Sequence, residues 1–266
     1  MKTFEEIEKI IDLYRAGKMV IIVDDEDREN EGDLAFASET CTPAKINFMA
    51  KYGRGLICVS MEGQRLDELG IPMMVTDNTT RFETAFTISV EARKGTTTGI
   101  SASDRATTVK RLINPRSKPT DFVKPGHMFP LRARKGGVLV RSGQTEASLD
   151  LAKLAGLYPS GVICEIMNED GSMARMPQLK KFASKHGLEI ISVADLIRYR
   201  TAHERFIKCQ SKVKLPTKYG DFIIKTYEDT IENVVHVVLQ KGEIIPEKPV
   251  LLRVHSECFT GDILGS

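Results

Sequence analysis

The apolar run MVIIV, residues 19–23, passes without a spacer into DDEDRENEGD, residues 24–33. A continuous run rich in Ile and Val has no polar face, so it predicts a strand covered on both sides. Seven of the next ten residues are carboxylates, and Arg28 stands among them. Acids at the carboxyl end of a strand in an α/β sheet sit where ligands usually bind. Packed carboxylates repel one another unless a cation neutralises them. A hard divalent ion such as magnesium takes oxygen ligands and often needs only one or two carboxylates plus water. The competing reading is a solvated acidic loop, and the embedded Arg28 and Gly32 favour a shaped pocket over it.

The rest of the pattern alternates. Phe4, Ile7, Ile10, Ile11 and Tyr14 form one apolar stripe at helical spacing, which predicts a helix over residues 3–17. Thr3 with Glu6 fits a capping box at its start. Thr42, Pro43 and Gly53 bracket a second helix over 43–52. Further helices are expected over 104–113, 145–155, 173–186 and 193–208, the last capped by Ser192. Strands are expected at 56–59, 86–90, 138–140, 162–167 and 190–192, with a proline-bearing loop at 114–126. Strands and helices in alternation predict an α/β-type or α+β fold with a mixed sheet. From about residue 209 the character becomes strand-like, and the stretches on either side of Asp229 suggest a hairpin. The expected organisation is one domain over 1–205 and a short β-rich fragment over 206–266.

Net charge is +2 over 266 residues, so no global field favours nucleic acid or a membrane surface. A site for an anionic ligand must therefore be built locally. The five cysteines, Cys41, Cys58, Cys164, Cys209 and Cys258, are odd in number and widely spaced. They argue against a disulfide framework and for a reducing compartment. The N-terminal segment carries acids, unlike a signal peptide. No apolar run reaches the ~18 residues that span a bilayer. The expectation is a soluble cytoplasmic protein.

Four more constellations can carry chemistry. KGTTTGISASDRATT, residues 94–108, sets hydroxyls and glycines before Asp104 and Arg105 at a helix start, which suits an anion or simply a capped helix. His127, in DFVKPGHMFPLRA, reads either as a catalyst or as a satisfied core histidine. Arg141, Ser142, Gly143 and Thr145 cluster at another helix start. Glu165 lies in the apolar strand VICEIM, where a carboxylate is costly unless paired or protonated, and a buried acid is a candidate general acid or base.

In order, DDEDRENEGD, TTGISASDRATT, KPGHMFPLRA, RSGQTEASLDLAKLAG and VICEIMNEDGSMAR resemble 3,4-dihydroxy-2-butanone 4-phosphate synthase over residues 1–205. The resemblance implies conversion of D-ribulose 5-phosphate to the butanone phosphate and formate. It also implies Mg2+ or Mn2+ and a homodimer with sites near the subunit interface. Carried over by position, it gives Arg28, Glu29 and Asp33 contact with substrate, with Glu31 in the same pocket. Glu29 is also a metal ligand. Arg141, Ser142, Gly143, Gln144 and Thr145 would hold the substrate, largely through its phosphate. His127 and Glu165, with Glu31, would be the acid–base residues, and Glu165 would also touch substrate. Cys58 falls in a segment that reaches the pocket.

Two departures follow. The family normally reads Gly-His-Thr-Glu-Ala, with the His as second protein ligand to the metal, whereas this chain carries Gln144 there. A neutral amide implies weaker metal binding, and it also admits an impaired synthase-like scaffold or a sugar-phosphate binding module. The retained Glu29, Glu31, Asp33, His127, Arg141 and Glu165 favour the enzyme. The tail, with LPTKYGDF and VLLRVHSECFTGDILGS, resembles the beginning of GTP cyclohydrolase II. There Cys258 would be the first of three zinc thiolates. One thiolate does not make a catalytic zinc site, so no cyclohydrolase activity and no stable zinc are expected.

Overall fold

The computed structural model describes every residue of the chain except Glu232. The chain forms two compact units, Met1–Glu204 and Arg205–Ser266. The first contains α1 (Phe4–Arg15), β1 (Val20–Val23), β2 (Gly32–Ala37), α2 (Pro43–Phe48), β3 (Cys58–Glu62), α3 (Gly63–Glu68) and β4 (Val90–Ala92). It continues with α4 (Ala102–Ile113), β5 (Phe122–Ala133), α5 (Gln144–Leu154), β6 (Ser160–Glu165), α6 (Met176–His186), β7 (Glu189–Ser192) and α7 (Val193–His203). The seven strands form one sheet in the order β4-β5-β3-β6-β2-β1-β7. The pairs β1/β7 and β3/β5 are parallel and the others antiparallel, so the fold is α+β with a mixed sheet.

Both faces of this sheet are covered, and β1 shows why its sequence is apolar throughout. Ile21 and Val23 pack on one side with Leu34, Phe36, Ile46, Val109 and Leu179. Val20 and Ile22 pack on the other with the α1 stripe, Ala147 and Leu151 of α5, and Leu196 of α7. The expected capping box is present, with Thr3 and Glu6 bonding each other's backbone N–H. On the α5 side the sheet is built from small residues. Ala35 and Ala37 of β2 face it, and a Cβ on Gly161 of β6 would lie 2.7 Å from the Ser148 Cβ. The Ser148 hydroxyl in turn meets that of Ser60 at 2.7 Å. Helix α5 therefore rests close on the sheet centre, and its first residues stand over the ends of β2 and β6.

Several expected elements differ. Residues 138–140 form a helical turn at Gly137–Leu139 rather than a strand, because Gly136 and Gly137 both take positive φ (94° and 66°) and coil the chain. The strand expected at 86–90 shrinks to β4, with Phe86 and Thr87 held only by isolated bridges. Strand β5 starts inside the proline-bearing stretch and includes Pro125. The second helix widens after Phe48 and leaves through Arg54 at φ 70°, while Gly53 is buried against Cys164 and Leu34. Helix α7 ends at His203, short of the expected 208. Strand β2 emerges from the acidic run itself.

The second unit is an antiparallel sheet of β8 (Ile207–Thr217), β9 (Gly220–Asp229) and β10 (Val235–Gln240), in the order β10-β9-β8. The hairpin around Asp229 is β9–β10, and PVLLRVHSE adds no strand. No helix is long and apolar enough to cross a membrane among the described residues.

The close seat of α5 is testable. Gly161→Ala is expected to lower stability by about 1–3 kcal/mol, as overpacking does, in urea unfolding of the full chain. An unchanged midpoint would contradict the tight contact.

Candidate active site

The acidic run folds around its first residue. Asp24 has a fully buried side chain. Its Oδ1 accepts from the Glu31 N–H (2.9 Å), and its Oδ2 from the Glu29 N–H (3.1 Å) and from Arg28 Nη1 (2.8 Å). One carboxylate thus closes residues 24–31 into a ring. Asn30 takes a left-handed conformation, φ 54°, to complete the turn. From outside, Arg175 donates to the carbonyls of Glu29 (2.7 Å) and Asn30. The loop is shaped rather than solvated.

Strand alternation then aims two carboxylates. Residues 33, 35 and 37 of β2 face α5, and Asp33 is paired in register with Glu165 of β6, on the same face. Glu165 is anchored, its Oε2 accepting from the Leu56 N–H at 2.8 Å, and it lies across Gly55, where any Cβ would collide with it. Burial pushes the Asp33 acid well above the usual carboxylate range, and repulsion from Glu165, Glu29 and Glu31 adds to it. Burial also raises Glu165, against the backbone hydrogen bonds that favour its charge. Glu31 is raised by burial and by Glu29, with Arg175 opposing. Asp33 and Glu165 thus line one cavity with proton affinities raised chiefly by burial, whereas Glu31, placed in the same pocket by the family pattern, lies outside its lining.

The opposite wall comes from α5 and the segment before it. Arg28, Glu29, Asp33, Cys58, Thr145 and Glu165 line the cavity, together with Arg141 and Gln144. Arg141 is heavily engaged. It pairs with Glu146 (2.6 Å) and donates to the Phe82 carbonyl (3.0 Å) and the Thr84 hydroxyl (3.2 Å). Gly143 permits this, since a Cβ there would lie 2.3 Å from the guanidinium. Ser142 is exposed, and neither it nor Gly143 lines the cavity. Arg28 Nη1 also donates to Gln144 Oε1 (3.2 Å), its Nη2 meets Glu29 (3.0 Å), and the Phe82 ring lies 5.1 Å from its guanidinium. Gln144 Nε2 is buried with no hydrogen-bond partner among the described residues.

His127 stands apart. It is not in the cavity lining, and its Nδ1 lies 2.7 Å from Glu91 Oε2 on the β4–β5 edge. Nearby, Asp104 accepts from the Thr97 hydroxyl and the Gly99 N–H, so that loop is closed upon its own acid. Arg105 is likewise outside the cavity. A larger groove runs past Arg132, Arg134 and Lys153, but Asp67, Glu83 and Glu62 already match these charges. The sequence reading gives Asp24 no role of its own and does not reach Phe82, Thr84 or Arg175. Only the folded turns reveal them.

Glu29, Asp33 and Glu165 offer carboxylate oxygens to the cavity, the donor type a hard divalent cation takes. No three or more His, Cys, Asp or Glu side chains converge as a metal cage among the described residues. An ion here would therefore keep much of its water, as magnesium commonly does.

Residues 8–199 match the family model for 3,4-dihydroxy-2-butanone 4-phosphate synthase, and residues 208–266 match that for GTP cyclohydrolase II. The chain is 55% identical to the riboflavin biosynthesis protein RibBA of Aquifex aeolicus over 99% of its own length and 65% of that protein's. It spans 48% of a Synechocystis relative of the same name. Among solved structures, the A. baumannii RibBX, a two-domain 3,4-dihydroxy-2-butanone 4-phosphate synthase, superposes with a TM-score of 0.80. That match has 47% identity and covers 89% of this chain and 70% of that one. A synthase crystallised with two magnesium ions superposes with a TM-score of 0.71 at 39% identity, covering 74% and 97%. The chain belongs to the 3,4-dihydroxy-2-butanone 4-phosphate synthase family.

Proposed function

We propose that this cavity converts D-ribulose 5-phosphate to L-3,4-dihydroxy-2-butanone 4-phosphate and formate, the committed chemistry of a riboflavin-pathway lyase. The observation that carries the reading is the convergence of Glu29, Asp33 and Glu165 on a cavity walled by Arg28 and Arg141. The reaction begins with loss of a proton beside the ketone. A carboxyl with raised proton affinity is suited to take it, and Glu165, held at one oxygen by Leu56, has the other available. Glu31, partly exposed and outside the cavity lining, would return or relay protons from its rim, beside Glu29. Asp33, more buried than Glu29, Glu31 or Glu165, orients substrate hydroxyls. Mg2+ or Mn2+, held by Glu29, would supply Lewis-acid stabilisation of the developing enediolate when bound.

His127 enters this scheme through a homodimer. It is exposed on an edge of its own chain and lies outside its own cavity, so it serves the site of a second copy. The buried, unpaired Cys41, Cys58 and Cys164 suit a reducing compartment such as the cytoplasm. In the tail, Cys258 is exposed and bonded only to its own turn.

Formate release from D-ribulose 5-phosphate with added Mg2+ tests the activity, and Glu165→Gln is expected to reduce it by about 10²–10⁴-fold, the usual worth of a general base. Binding of the sugar phosphate with no formate from the wild-type chain would point instead to a binding module.

Shared sites predict complementation. Glu165→Gln and His127→Ala should each be inactive, while their mixture should recover about a quarter of wild-type activity if subunits exchange at random. Mixtures no more active than their parts, with exchange verified, would place each site within one chain.

The acids predict a pH dependence of stability. Acids raised on folding bind protons more tightly in the native state, so their contribution is present below the ordinary carboxylate range of about 4 and lost as pH rises through the raised values. The metal-free chain should lose stability as pH climbs above that range. Asp33→Asn should flatten the loss in urea titrations. A profile that Asp33→Asn leaves unchanged would contradict the raised proton affinity of Asp33.

A further inference from the structure

Gln144 presents two chemically opposite ends to its surroundings. Its carbonyl oxygen accepts from Arg28 Nη1 at 3.2 Å, and that nitrogen gives its other proton to Asp24. Its amide nitrogen is buried and carries two N–H donors without a partner among the described residues. The residue as a whole is only 5% exposed. Turning the amide over would set its N–H groups against the N–H of Arg28, donor against donor. Arg28 cannot reverse that polarity, because a guanidinium has no acceptor. The orientation is therefore dictated by Arg28, and Arg28 is dictated by the buried Asp24.

The end left over is a donor. A divalent cation binds oxygen lone pairs and not N–H groups, and the one oxygen of Gln144 already faces the Arg28 guanidinium, whose positive charge opposes a cation on its remaining lone pair. A buried donor without an acceptor costs free energy until one arrives. The other cationic donors of the wall are committed, Arg141 to Glu146, Phe82 and Thr84, and Arg28 to Asp24, Glu29 and Gln144. Asp33, Glu29 and Glu165 offer only acceptors while ionised.

We propose that Gln144 is a hydrogen-bond donor that positions an oxygen of the sugar-phosphate substrate, and that it is not a ligand of the divalent cation. This replaces the metal-ligand role expected of the position from the family pattern. It leaves Glu29 as the cation's attachment on this wall. The inference rests on the proposed substrate, and it deepens that reading by separating substrate contact from metal contact.

The test uses the full chain and two probes that need no turnover. Mn2+ alone is titrated by electron paramagnetic resonance, and D-ribulose 5-phosphate is titrated by calorimetry with chelator present. Gln144→Met, which keeps the volume and removes the donor, should weaken sugar-phosphate binding about tenfold, the worth of one good hydrogen bond. It should leave Mn2+ affinity unchanged. Gln144→Glu, which fills the same space, should weaken sugar-phosphate binding as well, so the result does not hang on one variant. Gln144→His should tighten Mn2+, because it adds a ligand the wild type lacks. A fall of Mn2+ affinity in Gln144→Met overturns the assignment, as does sugar-phosphate affinity that survives both donor-removing variants. A wild-type chain that binds both probes and releases no formate defeats the proposed activity while leaving the donor role of Gln144 intact.

Discussion

The buried carboxylate of Asp24 is the interaction on which the site depends. It receives two backbone N–H groups and one guanidinium from its own loop. Without it, seven acids in ten residues would spread into water, since their mutual repulsion favours extension. With it, the loop returns on itself within eight residues, and the chain re-enters the sheet as β2 with Asp33 already beside Glu165. A charge-assisted hydrogen bond to a buried acid is stronger than a neutral one, and here such bonds decide direction as much as stability. Glu29 and Glu31 point where they do because their N–H groups are fixed at Asp24.

Glu29 meets Arg28 and Glu31 faces Arg175, but Asp33 and Glu165 have no ion-pair partner among the described residues. A protein selected for stability alone would pair or remove Asp33, because burying an unpaired acid is costly. Instead it lies next to Glu165 and within the field of Glu29 and Glu31. The sheet tolerates this because α5 closes over the same face on small residues, Ala35, Ala37 and Gly161, which give the assembly a firm backing. The polar site and the tight apolar seat are two parts of one face of the sheet.

Much of this was legible in the sequence, and the illegible parts have physical causes. Helix α1 was readable from its stripe and capping box, because both are local. Strand β1 was readable because burial on two faces leaves no alternation to misread. Strand β2 was not, since its α5-facing residues are Asp33, Ala35 and Ala37, which carry no β-branched signal and begin inside a charge run. Residues 138–140 were read as a strand because two valines and one leucine outweighed the glycines before them, yet Gly137 abuts Asp150 so closely that only glycine fits. Glu29, Asp33, Arg141, Thr145 and Glu165 were named from the order of motifs, and the fold gathers them around one cavity. His127 was grouped with them in the sequence, but nothing local says that its strand carries it to an edge. The division of labour between Asp24 and its neighbours was beyond sequence reasoning altogether, because seven acids look alike until one of them is buried.

Arg28 joins the two halves. It is bonded to Asp24 and Glu29 in the loop and to Gln144 at the start of α5, and the Phe82 ring lies against it. Segments more than a hundred residues apart in the chain thus share one guanidinium. Arg141 makes a parallel connection, binding the Phe82 carbonyl from the other side. Residues 82–84 are therefore held between two arginines that both line the cavity. Gln144 is the exception on this wall, because its free donors can meet a ligand without any existing bond being broken. In a site where most donors are already engaged, that gives a neutral amide a part that neither a cationic residue nor a further carboxylate would fill.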